Sequence, residues 1–121
     1  IFVGWRPYAQ YDLSEEDVLN LDLNFEIIKT LDSRGLIVSS SGKDVDFVSR
    51  WFGPQTGVDE DPVTGSAHTL LTPFWAERLN KTKLRAKQLS RRGGNLFCEL
   101  KEDSVLISGN ASLYLRGEYF L

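Results

Sequence analysis

The chain has 121 residues, 41% of them apolar and 26% charged, with a formal charge of −3, a profile that suits one globular domain able to bury a core without staples. The slight acidic excess gives no global pull toward nucleic acid or an anionic membrane, and no apolar run approaches the roughly 20 residues of a bilayer span. One cysteine and one histidine exclude an internal disulfide and a zinc cage, so a reducing, cytoplasmic setting is the expectation.

The chain opens Ile1-Phe2-Val3-Gly4-Trp5 without an initiator methionine. These residues read as the end of a strand already under way, and the expectation is a fragment of a longer protein. Ser14-Glu15-Glu16-Asp17 has the form of a capping box and predicts a short helix over about residues 14–20. Phe25, Ile27, Ile28 and Leu31 predict a second short helix that Ser33-Arg34-Gly35 breaks. Strand structure begins at Leu36-Ile37-Val38. From Val45 to Phe52 the pattern has period two, with Val45, Phe47, Ser49 and Trp51 on one face and Asp46, Val48, Arg50 and Phe52 on the other.

After the loop Gly53–Gly57, the period changes. Ala67, Leu70, Leu71, Phe74, Trp75 and Leu79 recur at helical spacing and predict a central helix over 66–79, kinked at Pro73. Beyond it Lys81, Lys83, Arg85 and Lys87 alternate with Thr82, Leu84, Ala86 and Gln88, a strand with one solvated basic face. Leu96, Cys98 and Leu100 form the next strand, Val105-Leu106-Ile107 another, and Ala111, Leu113 and Leu115 a last long one. The order predicts an α+β fold, a mainly antiparallel barrel-like sheet wrapped around one central helix, in a single domain over residues 1–121.

The stretch from Gly57 to His68 carries the most chemistry. Three acids, Asp59, Glu60 and Asp61, precede the Thr64-Gly65-Ser66 step that opens the central helix. Unpaired amides, the positive end of the dipole, a glycine that admits close approach and a serine hydroxyl together make a cradle for a carboxylate. Asp61, held beside it by Pro62, is a candidate for proton transfer. The same acids could equally serve as ordinary helix capping. Arg91-Arg92-Gly93-Gly94 reads either as an anion-binding turn or as a hairpin corner with exposed charges. His68 lies two residues from Ser66, a spacing that does not face on a helix, so it reads as a packed or surface histidine, not a base for that serine. Cys98 reads as a buried small hydrophobe.

Three segments, in order, resemble the phenazine-biosynthesis-like (PhzF-like) family: Asp46–Phe52, the run Glu60-Asp61-Pro62-Val63-Thr64-Gly65-Ser66-Ala67-His68, and Gln88–Gly94. The resemblance covers about residues 36–121. It implies a fold shared with diaminopimelate epimerase, in which two similar domains flank a cleft, and this chain is then the C-terminal half. It further implies an isomerase that moves a proton on a small carboxylate-bearing metabolite without metal or organic cofactor, and whose acid/base glutamate comes from the N-terminal domain. Carried over residue by residue, Asp61 and Ser66 match the catalytic polar residues, while Thr64, Gly65, Arg92, Gly93 and Gly94 match substrate-binding positions. No cysteine stands near Asp61–Ser66, which disfavours the two-thiol chemistry of related epimerases. The implied partners are the substrate and the N-terminal domain, with a homodimer compatible and neither nucleic acid nor membrane involved. A module that keeps the fold to bind a ligand or a protein without turnover is the competing reading.

Overall fold

The computed structural model describes residues 1–3, 6–7 and 12–120. Ser14 caps the first helix, α1 (Glu15–Leu19), as the sequence predicts. Its Oγ accepts from the Asp17 amide at 3.1 Å, and the Asp17 carboxylate accepts from the Ser14 amide at 2.8 Å, closing the capping box. Asn24 starts α2 (Phe25–Ile28), its side-chain oxygen accepting from the Glu26 and Ile27 amides. This helix stops short of Leu31, and β3 (Leu36–Ser41) follows. The other strands are β1 (Phe2–Val3), β2 (Arg6–Pro7), β4 (Phe47–Gly53), β5 (Val58–Glu60), β6 (Lys83–Gln88), β7 (Gly94–Leu100) and β8 (Val105–Ser108). Between β5 and β6 lies the long helix α3 (Gly65–Leu79).

The strands of the described residues form one eight-stranded sheet in the order β2-β1-β3-β4-β6-β7-β8, with β5 paired to β4. Among the described residues every pairing is antiparallel except β4 with β6. The α3 crossover supplies that one parallel pair, because parallel neighbours need a long connection. The expectation of a mainly antiparallel α+β fold holds, but among the described residues the sheet does not close into a barrel around one helix: the strand path is open. The reason is visible in β3 and β4, which are apolar on both faces. Ile37 and Phe47 pack with Ala67, Leu71, Trp75 and Ala76 of α3. Leu36, Val38, Val48 and Phe52 turn the other way and pack with Val18 of α1 and Ile28 of α2. A strand apolar on both faces takes a layer on each.

Helix α3 is anchored by Trp75, whose ring stacks on Phe47 at 5.8 Å and whose Nε1 donates to Ser39 Oγ at 2.8 Å. The helix runs on through Pro73, which faces solvent. Its buried stripe is Ala67, His68, Leu71, Thr72, Trp75 and Ala76, rotated from the predicted one: Leu70 and Phe74 are half-buried and Leu79 is exposed. His68 and Thr72 enter the core because each satisfies its polar atoms locally, the Thr72 hydroxyl donating to the His68 carbonyl at 2.6 Å. Strand β6 alternates as predicted, Leu84, Ala86 and Gln88 inward and Lys83, Arg85 and Lys87 outward. The predicted last strand through Ala111, Leu113 and Leu115 is absent. Residues 109–120 hold no helix or strand, and Leu113 and Tyr114 are 85% and 98% exposed. Among the described residues this segment pairs with no strand, and an isolated strand cannot satisfy its backbone groups.

Candidate active site

Two loops meet at the start of α3. The first, between β5 and the helix, is tied to the sheet at both sides. The Asp61 amide donates to the Trp51 carbonyl of β4 at 3.2 Å. Just before it, Glu60 takes a bidentate pair from Arg50, at 2.7 and 3.1 Å. Arg50 also donates to the carbonyls of Val18, Leu19 and Leu21, so one guanidinium joins the C-terminal end of α1 to the segment that leads into the site.

The second loop, between β6 and β7, is laced to the first. Gln88 is fully buried. Its Oε1 accepts from the Thr64 amide at 2.8 Å, and its Nε2 donates to the Asp61 carbonyl at 2.7 Å and to Thr64 Oγ1 at 3.1 Å. Ser90 Oγ donates to the Pro62 carbonyl at 2.8 Å and accepts from the Gly93 amide at 3.0 Å. Gly93 has a φ of +71°, which suits glycine. At Gly94 a β-carbon would run into the Val63 side chain. Only glycine lets β7 begin this close to the entry of α3.

Thr64 is the N-cap residue of α3, yet its side chain makes no capping bond to the helix amides, and no acid lies in the first turn. Its hydroxyl instead donates to Asp61 Oδ2 at 2.6 Å. Among the described residues no acid before the helix accepts from its first amides, so hydrogen-bond capping does not occupy this stretch. Gly65 and Ser66 are exposed. The helix start thus presents free backbone donors and a positive dipole end to an open cavity of about 540 Å³. Its walls include Gly65, Val63, Arg92, Gly93 and Gly94, together with Asn95, Ser108 and Asn110. A second opening nearby is lined by Glu60, Pro62, Ser90, Arg91 and Arg92.

The structure therefore brings Gly65, Arg92, Gly93 and Gly94 to one cavity. Thr64 is buried behind it. Ser66 is exposed on the first turn and Asp61 is half-buried, but neither contributes to the cavity wall, and the Asp61 carboxylate is turned to Thr64. His68 sits in the core at 0% exposure. Its Nδ1 lies 2.8 Å from the Thr64 carbonyl, which can only accept, so Nδ1 carries the proton. Its Nε2 is then the acceptor facing the Ser49 hydroxyl at 3.4 Å. Burial pulls its pKa below the ordinary range, against the opposing Thr64 bond, and the packed reading of His68 holds. Cys98 is buried, and burial pushes its thiol up despite a bond with the Thr72 side chain, as befits a core residue. Sequence reasoning missed the bonding role of Gln88, seen only as a position in the alternating strand and in the segment before the glycines, and it missed the polar wall of Asn95, Ser108 and Asn110. Strand alternation does reveal that Gln88 points inward with Leu84 and Ala86, and a buried amide must find partners.

Comparison with known proteins agrees with this architecture. The family model described as phenazine biosynthesis-like protein matches residues 12–117. An uncharacterized isomerase of Pseudomonas aeruginosa is 50% identical over 107 residues, which is 88% of this chain and 41% of that protein. Phenazine biosynthesis-like domain-containing protein 2 of Mus musculus is 50% identical over 98 residues, 75% of this chain and 34% of its own length. The crystal structure of a PhzF-family phenazine biosynthesis protein from Enterococcus faecalis superposes with a TM-score of 0.84 at 50% identity, covering 90% of this chain and 42% of that one. The chain spans about two-fifths or less of the length of these relatives. With a match of this extent and the two laced loops in place, the chain belongs to the phenazine biosynthesis-like family.

Proposed function

We propose that this chain is the C-terminal half of a two-domain isomerase that shifts a proton on a small carboxylate-bearing metabolite without metal or organic cofactor. One observation carries the reading: the uncapped, exposed start of α3 opens onto a cavity also walled by Arg92, Gly93 and Gly94. Those amides and the Arg92 guanidinium hold the substrate carboxylate, and the Ser66 hydroxyl, on the exposed first turn just outside the cavity wall, adds a donor to the part of the substrate that extends past it. Fixing the carboxylate orients the adjacent carbon for proton transfer and stabilises negative charge that spreads onto it. Asp61 assists from the side of Thr64, and a glutamate of the N-terminal half does the main proton work.

A second reading has one observation in its favour. Because the Asp61 carboxylate is engaged by Thr64 and does not wall the cavity, the same cradle could bind a carboxylate without turnover. Incorporation of solvent deuterium into a panel of small cyclic and linear carboxylates, catalysed by the full-length protein, separates the two. The enzyme reading predicts incorporation that falls about a hundredfold in Asp61→Asn and about tenfold in Ser66→Ala, with unfolding midpoints retained. Full incorporation in both variants removes these residues from the mechanism. Binding without any incorporation favours the non-catalytic module.

A further inference from the structure

We infer that Gln88 is a positioning residue that keeps the start of α3 open, by committing the Thr64 hydroxyl to Asp61. The inference rests on the proposed role of that helix start in holding a carboxylate. Threonine at an N-cap ordinarily turns its oxygen to the amides two or three residues on. In α3 those are the amides of Ser66 and Ala67. Here Thr64 does not do so, and the hydrogen-bond directions explain why. Gln88 Oε1 accepts from the Thr64 amide at 2.8 Å, which fixes the orientation of the side-chain amide. Its Nε2 can then only donate, and it does so to Thr64 Oγ1 at 3.1 Å and to the Asp61 carbonyl at 2.7 Å. The Thr64 oxygen, already accepting from Gln88, gives its single proton to Asp61 Oδ2 at 2.6 Å.

The chain Gln88 to Thr64 to Asp61 thus has one polarity. It holds the Asp61 carboxylate as an acceptor, and it turns the Thr64 oxygen away from the helix amides. Gln88 has no exposed surface, so its side-chain donors cannot be shared with water, and all of the side-chain bonds run to these two residues. The Thr64 carbonyl is held as well, by His68 Nδ1 at 2.8 Å, so the residue that precedes the first free amide is held at both its amide and its carbonyl. Gln88 touches no part of the cavity. It acts through Thr64 and Asp61.

The test uses the full-length protein, labelled with ¹⁵N, and acetate as the probe. Acetate shifts the amide resonances of Gly65, Ser66 and Ala67 in the wild type. In Gln88→Met the freed Thr64 hydroxyl caps the helix, and the apparent affinity of those amides for acetate falls about fivefold, the worth of one cap. Thr64→Val has no hydroxyl with which to cap, so adding it to Gln88→Met brings the affinity back up to that of Thr64→Val alone. A network that only supported the fold would weaken the response further in the double variant than in Gln88→Met. An unchanged response in Gln88→Met, or a double variant weaker than Gln88→Met, overturns the inference and leaves the carboxylate reading standing. Should Gln88→Met fail to fold, Gln88→Asn, whose shorter amide does not reach Thr64, makes the same comparison. Absence of any acetate response at these amides in the wild type sinks the carboxylate reading and this inference with it.

Discussion

Helices α1 and α3 begin in opposite ways. The five-residue α1 has a complete capping box, with Ser14 and Asp17 satisfying each other's backbone. The fifteen-residue α3 has a threonine in the capping position whose side chain serves Asp61 instead. A short helix needs its cap, because few internal bonds hold it. A long one packed through Phe47, Leu71 and Trp75 can leave its first amides unpaired at little risk to the fold. Where local rules are broken at the best-packed element of a domain, the departure points to function, and here it coincides with the cavity that Arg92, Gly93 and Gly94 enclose.

The largest stability effect expected outside the cavity belongs to the residue that connects these two regions. Arg50→Ala strands the Glu60 carboxylate and the carbonyls at the end of α1. With side-chain exposures of 13% and 20% for the pair, the loss is expected to be about 3 kcal/mol, read from denaturant midpoints. A change below about 0.5 kcal/mol would show that α1 and the entry to α3 are joined by packing alone. Ser14→Ala comes next, with a cost of about 1 kcal/mol and faster hydrogen exchange at the Asp17 amide. Thr64→Ala sharpens the contrast: the exchange of Ser66 and Ala67 is expected to stay as in the wild type, because no cap is lost there. Slower wild-type exchange at Ser66 than at Asp17 would break the comparison.

The smallest effect is one of pH. The side-chain and backbone bonds from Ser14 hold the Asp17 carboxyl below its ordinary range. Its contribution is therefore complete above the unfolded value of about 3.9 and is lost as pH falls through the lower folded value. Chemical shifts in α1 should move in that acid window, and shifts at Ser66 and Ala67 should not follow the same titration. A common titration of both helix starts would mean that α3 also depends on a carboxylate cap.

Much of this fold is legible in the residues. The Ser14 box, the two-faced alternation of Phe47–Phe52, the inward Leu84, Ala86 and Gln88 and the mixed order of strands and helix all follow from local pattern. What pattern could not reveal is how layers share a face. Leu36 and Ile37 alternate plainly, but only the arrival of α1, α2 and α3 on opposite sides shows that the sheet stays open. Leu113 and Leu115 alternate just as well, yet alternation does not supply a neighbouring strand. At the site, the acids before α3 and the glycines after β6 stand out in sequence, whereas their coupling through Gln88 and Ser90 is a long-range contact that no local spacing encodes. The polarity of the Thr64 hydroxyl, on which the open helix start depends, emerges only from the assembled bonds.

A structure of the full-length protein soaked with a small carboxylate tests the central claim most directly. The account predicts one carboxylate oxygen within hydrogen-bond distance of the Gly65 or Ser66 amide, the Arg92 side chain turned toward it, and the Thr64 hydroxyl still on Asp61. A carboxylate bound elsewhere while the Thr64 hydroxyl swings round to close the α3 amides would contradict it.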